Sequence, residues 1–314
     1  MLSIQEAKRR LPEKFIENIY EMFSPITVDK IISGMIAQRY TTLRVNTIKY
    51  SIQDLIRYFK DKAIKFERIP WYKDGLLIKN ANEKEIQKLD IYEKGYVYLQ
   101  SLSSMIPPVI LSPEPNEKVL DLTAAPGSKT TQMAALMQNK GYILANELDQ
   151  IRVERLKYNI LTQGAKIIEV HQGRGEKIGE KYPEYFDKVL LDAPCSGEGR
   201  FNATNSMTYK NWTTKEVRDL VKLQKKLLLS AFKSLKPNGV MVYSTCTLNK
   251  EENEYILDWA LKNMELELTS IKVDIKEAMP AFNENIDNTI HKAIRVLPSK
   301  TTEGFFIAKL QKIR

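Results

Sequence analysis

KVLDLTAAPGSKTTQ, residues 118–132, runs from an apolar strand-like segment into a turn of small residues and then into a helix. Such a break lets backbone N–H groups come close to a ligand. A Walker A loop needs GxxxxGK followed by Ser or Thr. Here the upstream glycine is missing and Ser128 separates Gly127 from Lys129, so a phosphate cradle is not expected. The GxGxxG dinucleotide pattern is absent as well. About 20 residues beyond Gly127, at the end of the next apolar run, stands Glu147, where a carboxylate accepts hydrogen bonds from ribose hydroxyls. That arrangement suits S-adenosylmethionine as well as a dinucleotide; a tight turn followed by a surface glutamate is the reading without a ligand.

Outward from this turn, apolar runs alternate with amphipathic helices. Strands are predicted at KVLDLTA (118–124), YILANEL (142–148), IIEVHQG (167–173), KVLLDAP (188–194), GVMVYSTC (239–246) and GFFIAKL (304–310). Helices such as IRVERLKYNILTQ (151–163) and EVRDLVKLQKKLLLSAFKSL (216–235) lie between them. Alternation of this kind predicts an α/β fold with a mostly parallel sheet covered on both faces. Ligands of such sheets bind beyond the carboxyl ends of the strands, where the informative residues of this chain cluster. Residues 274–300 show no period and read as a long surface connection. The first 95 residues mix helical patterns (PEKFIENIYEMF, SIQDLIRYFKDK) with extended ones (TTLRVNTIK, IKFERIPW) and read as a small α+β module.

The two cysteines, Cys195 in LLDAPCSGEG and Cys246 in VMVYSTCTL, both follow the ends of predicted strands. Those strands are joined through one helix, which predicts that they are neighbours and that both thiols face one pocket. A thiolate is a nucleophile, and a strand end near helix N-termini is a polar setting in which one can form. Two small buried hydrophobes are the alternative. With only His171 and His291 nearby in kind, and no CxxC, neither a zinc site nor a disulfide framework is expected.

Lys and Arg number 48 against 39 Asp and Glu, a net charge of +9 that points to a polyanionic partner such as nucleic acid. No charged n-region leads into an apolar stretch at the start, and no run of about 18 apolar residues occurs, so a cytoplasmic protein with no membrane span is expected.

DLTAAPGSKTTQMA (121–134), ILANELDQIRVERLKYNI (143–160), FDKVLLDAPCSGEG (186–199), VYSTCTLNKEENE (242–254) and GFFIAKLQK (304–312) resemble the successive motifs of the Sun (Fmu) family of RNA cytosine-C5 methyltransferases. RVNTIK and YLQSLSSMIPP resemble its N-terminal and linker motifs. The wording is closest to the bacterial RsmF-type branch acting on 16S ribosomal RNA. The resemblance implies a Rossmann-like methyltransferase domain with a seven-stranded sheet over residues 96–314, an RNA-binding module over 1–95, and a monomer that uses S-adenosylmethionine without a metal. It implies that Cys246 attacks C6 of cytosine, giving an enamine that takes the methyl group, and that Cys195 helps remove the C5 proton. Asp192 would meet the N3 side of the ring as a proton or hydrogen-bond donor, which needs a carboxyl raised by its site, and Lys129 would stabilise charge. Cofactor contacts carry over to Ala124, Ala125, Pro126, Gly127, Ser128, Lys129, Glu147 and Asp192; Arg152 matches a family position and reads equally as a surface arginine. Gln172 stands where the family places an Asp near the adenine amine, and NATNSMTYKNW (202–212) replaces a basic stretch.

A base inside a helix cannot reach the thiols, so the target must be looped or flipped. Arg44, Lys49, Tyr50, Arg200 and Phe201 are the expected RNA contacts. Transfer RNA is the alternative substrate, and a non-catalytic RNA-binding or ribosome-assembly factor the alternative class.

Overall fold

The computed structural model describes residues 2–313. Its first elements are three helices, Ile4–Arg10, Glu13–Met22 and Pro25–Ile36. Ser3 and Glu6 close a reciprocal capping box on the first, and Ser24 caps the third, where Pro25 takes a position whose N–H has no helical acceptor. Their apolar faces, Phe15, Ile19, Ile31 and Met35 among them, bury against Phe201, Ala203 and Leu248. The helices thus back the loops that follow the two cysteine strands.

An antiparallel sheet comes next, built from β1 (Thr41–Val45), β2 (Phe66–Ile69), β3 (Tyr72–Ile78) and β4 (Val97–Leu99) in the order β2-β3-β1-β4. Helix Ile52–Asp61, capped by Ser51, buries Ile52, Leu55 and Phe59 on one face of it. The other face meets the remainder of the chain, which is why all five residues of β1 are buried although its sequence alternates. Arg44 of β1 is fully buried: its Nε donates to Gln100 Oε1 at 2.8 Å, and its Nη2 donates to Thr131 Oγ1 at 2.8 Å and Ser128 O at 3.1 Å. The side chain fastens the small sheet to the helix that follows the glycine turn.

The large sheet contains β5 (Lys118–Asp121), β6 (Tyr142–Glu147), β7 (Ile168–Gln172), β8 (Phe186–Asp192), β9 (Leu235–Thr245), β10 (Leu266–Thr269), β11 (Ala278–Pro280), β12 (Ile294–Val296) and β13 (Phe305–Lys312). The order is β11-β12-β13-β9-β8-β5-β6-β7, with β10 also paired to β13. Strands β5 to β9 are parallel, and β13 runs antiparallel to β9. Helices cover both faces, and their apolar faces join the strands in two large cores. From β5 the chain steps outward to β7 and then crosses back to β8 on the other side of β5. The direction of winding therefore reverses between β5 and β8, and a crevice opens there at the carboxyl ends.

Two more strands are present than the seven expected. Both come from residues 274–300, which are not a surface connection: Ile290, Ala293 and Val296 are fully buried. Arg295 is buried too, donating through Nε to Glu254 Oε1 at 2.7 Å and through Nη2 to Glu254 Oε2, while Nη1 reaches Leu248 O at 2.8 Å. The rings of Phe23, Phe282 and Phe306 surround the guanidinium at 4.9–5.7 Å. The segment is anchored by a charge pair and has no regular apolar period to read. Arg295→Ala leaves Glu254 charged and unpaired in the interior and is expected to cost about 3–5 kcal/mol in denaturant unfolding. A loss below about 1 kcal/mol, the range of solvent-exposed pairs, would show that water screens it.

Candidate active site

Gly127 ends the turn after β5 with φ +101° and starts the helix Ser128–Leu136. A Cβ there would lie 2.8 Å from Leu156 Cδ1, and the left-handed backbone is what favours glycine. The turn is tied from the side by the helix Gln150–Gln163: Arg152 Nη2 donates to Ala125 O, and Asn159 Nδ2 to Pro126 O, each at 2.8 Å. Thr130 donates to Asp121 Oδ2 at 2.7 Å from beneath; burial pushes the Asp121 carboxyl up to about 7.

The turn forms one wall of a cavity of about 1060 Å³ that extends from Glu147 to both cysteines. Glu147 is buried; its Oε1 accepts the N–H groups of Leu148 (2.9 Å) and Asp149 (3.1 Å). Its Oε2 has no hydrogen-bond partner, and Arg152 Nη2 stands 3.5 Å away. A buried carboxylate oxygen left without a donor fits a ligand that brings one, as ribose hydroxyls do. Ala125, Pro126, Ser128, Lys129, Arg152 and Asp192 share the lining, whereas Ala124 and Gly127 shape the turn from behind it. Gln172 does not join them. It is exposed at the end of β7 and outside the cavity, where Leu148, Gly175 and Glu176 stand instead. Leu148, missed by the sequence reading, is 60% exposed directly after the ribose-type carboxylate, and an apolar residue so placed is the available signal.

At the other end of the cavity, register brings the reactive groups together. Asp192 pairs with Ser244 across β8 and β9, and Ser244 Oγ donates to Asp192 Oδ1 at 2.7 Å. Lys129 Nζ lies 2.7 Å from Asp192 Oδ2 and donates to Ser104 Oγ at 2.9 Å. An ammonium and a hydroxyl thus lie within hydrogen-bond distance of the two Asp192 oxygens, an arrangement in which Asp192 accepts. Ser104, which steers Lys129, also escaped the sequence reading, because it lies in a separate helix, Leu102–Leu111.

Beyond that register pair, Cys195 and Cys246 approach to 3.3 Å between sulfurs. The Cys246 thiol is held below its ordinary range, chiefly because Cys195 donates an S–H bond to it and secondarily because the Arg200 guanidinium faces it. Cys195 is pushed well up by the same contact, by burial and by the charge on its neighbour. The contact thus favours ionisation at Cys246 over Cys195.

Of the five expected RNA contacts, Arg200 alone is exposed at this cavity. Arg44 is the buried tie described above. Lys49 Nζ donates to the carbonyls of Thr162 (2.6 Å) and Lys94 (3.1 Å), and Tyr50 stacks on Tyr96 with centroids 4.5 Å apart. Phe201 is buried with its ring 5.1 Å from that of Phe15. Among the described residues no cluster of three or more His, Cys, Asp and Glu is placed to hold a metal, and no helix is long and apolar enough to cross a membrane.

Comparison with known proteins agrees with this geometry. Residues 108–311 match the family described as 16S rRNA methyltransferase RsmB/F, and residues 11–102 match the N-terminal domain of 16S rRNA methyltransferase RsmF. The chain is 39% identical over 278 residues to a tRNA (cytosine(49)-C(5))-methyltransferase of Pyrococcus abyssi, covering 87% of this chain and 88% of that protein. It is 37% identical to ribosomal RNA small subunit methyltransferase F of Pectobacterium carotovorum over 96% of its own length, and spans 63% of that relative. The crystal structure of a methyltransferase homolog protein from Pyrococcus horikoshii superimposes with a TM-score of 0.86 at 34% identity, covering 99% of this chain and 100% of that one. A glycine turn facing a ribose-type carboxylate, two thiols in contact at neighbouring strand ends, and matches along nearly the whole chain lead to one conclusion: the protein belongs to the RsmB/F family of 16S rRNA methyltransferases.

Proposed function

We propose that the protein methylates C5 of a cytosine in RNA, using S-adenosylmethionine as donor and 16S ribosomal RNA as substrate. The observation that carries this reading is the approach of two sulfurs to 3.3 Å beyond the ends of two neighbouring strands. C5 of cytosine is a poor nucleophile until a thiolate adds to C6, and Cys246 is the cysteine whose surroundings favour the thiolate. Asp192 faces the N3 side of the ring, and because its oxygens accept in the resting site, the proton offered there comes through the Lys129 ammonium that it holds. When bound, S-adenosylmethionine supplies an electrophilic methyl group; Glu147 receives its ribose, and the turn Ala125–Lys129 seats it beside Asp192. C5 then carries both a hydrogen and the methyl group. Once the Cys246 sulfur is bonded to C6, its charge no longer holds the proton on Cys195. Two causes that raise Cys195 disappear together, so its thiol releases its proton to solvent and, as the thiolate, takes the C5 proton at the stage when that proton must leave. Removal of that proton breaks the bond from sulfur to C6 and restores the ring.

Residues 1–95 serve as the RNA-binding module in this reading, and Arg200 at the cavity mouth meets the target strand. Transfer RNA is the second reading, favoured by the 39% identity to the archaeal tRNA enzyme. Bisulfite sequencing of ribosomal and transfer RNA from a deletion strain separates the two: the substrate is the one that loses 5-methylcytosine.

With labelled RNA and methyl donor, Cys195→Ala is expected to accumulate a covalent protein–RNA band on a denaturing gel, while Cys246→Ala gives none and no turnover. A band with the opposite variant would exchange the roles. Glu147→Ala is expected to weaken donor binding by about 10- to 100-fold, the worth of hydrogen bonds to a charged group, with RNA affinity unchanged. Equal losses in both affinities, measured by calorimetry, would move the ribose site elsewhere.

A further inference from the structure

The segment that follows Cys246 is hydrogen-bonded to the Cys195 loop. Glu252 is wholly buried, and its carboxylate does not face the cavity. Its Oε1 accepts the backbone N–H of Ser196 at 2.9 Å and its Oε2 accepts the Ser196 hydroxyl at 2.5 Å. Gln224 donates from one amide nitrogen to Glu252 Oε1 and to Pro194 O, both at 2.9 Å. The residues on either side of Cys195 are therefore held by one carboxylate and its amide partner. The same serine reaches the other strand: Ser196 Oγ lies 2.8 Å from Thr247 Oγ1. Since the serine proton goes to Glu252, the threonine hydroxyl donates in that contact. Asn253 completes the frame around Cys246, accepting from Thr245 Oγ1 at 2.6 Å and donating to Thr247 O at 3.1 Å.

We infer that Glu252 is a positioning residue for the reaction: through Ser196 it clamps the Cys195 loop to the Cys246 strand and so maintains the contact between the sulfurs that makes Cys246 a nucleophile. The inference rests on the reading of Cys246 as the attacking thiol. Charge and position act here with opposite signs, which makes the clamp separable from simple electrostatics. A carboxylate near a thiol disfavours the thiolate, so deleting its charge alone would bring Cys195 down. Loss of the clamp lets Cys195 drift, removes the S–H donor, and drives Cys246 up. The charged groups facing Cys246, namely Arg200, Asp192 and Glu303, stay in place in either case.

The test is the pH profile of iodoacetamide alkylation, read separately at each site by peptide mass spectrometry, which the presence of just two cysteines permits. In Glu252→Ala, alkylation of Cys246 at neutral pH is expected to slow about tenfold, with the midpoint displaced upward and S-adenosylmethionine affinity retained, because one pH unit of displacement is a factor of ten in thiolate. Glu252→Gln preserves an acceptor for the Ser196 N–H and is expected to recover most of that rate. Turnover with saturating RNA should fall by up to about 100-fold in Glu252→Ala, the cost of a misplacement near 1 Å, with little change in KM for the donor. If Glu252→Ala does not fold, Ser196→Ala removes the hydroxyl link alone and should move the Cys246 midpoint in the same direction. An unchanged or lowered midpoint in the folded variant overturns the inference. Alkylation needs neither RNA nor methyl transfer, so a failure of the proposed function would appear as absent methylation beside an intact midpoint displacement.

Discussion

A single sulfur–sulfur contact orders this site. Two thiols 3.3 Å apart in a partly buried pocket cannot ionise independently: the first to lose its proton is stabilised by the S–H of the second and makes the second harder to ionise. The contact exists because β8 and β9 are parallel neighbours in a register that sets Asp192 beside Ser244. Cys195 and Cys246 lie just beyond those strand ends, so a slip in register would carry their loops apart. What surrounds the sheet can be understood as support for that register. Arg44 locks the N-terminal sheet to the helix carrying Lys129, and the N-terminal helices pack on Phe201 and Leu248 behind the two cysteine loops.

The cofactor end follows a different logic. There the backbone does the shaping, through the left-handed Gly127 and the carbonyls tied by Arg152 and Asn159, and a single buried carboxylate oxygen is left without a donor. An unsatisfied buried acceptor costs stability in the free protein and is satisfied on binding. At the thiol end Glu252, Gln224, Ser196 and Thr247 tie the two cysteine loops together, as suits groups that must be positioned before the substrate arrives.

The parallel core was legible because strands buried on both faces are nearly continuous apolar runs, and the turn after β5 because only small residues permit it. The thiol pair was legible because adjacency through one helix is a strong topological rule. What escaped was whatever depends on partners remote in sequence. Arg295 makes residues 278–296 part of the sheet by pairing with Glu254, and no local period records that. Arg44 and Phe201 looked like surface contacts for RNA because charge and aromaticity near a site suggest binding, yet Gln100 and Phe15 bury them. Gln172 was aligned by motif position, but the chain bends away after β7 and the adjoining cavity wall is built from Leu148 and Glu176.

The central claim is that Cys246, not Cys195, forms the bond to the base. It is tested most directly with RNA containing 5-fluorocytidine at the target position, where fluorine replaces the proton that must leave and the methylated adduct cannot eliminate. Peptide mapping of the wild-type complex is expected to find the nucleotide on Cys246, with Cys195 free to be alkylated afterwards. A nucleotide attached to Cys195, or no covalent complex in the presence of methyl donor, would contradict the account.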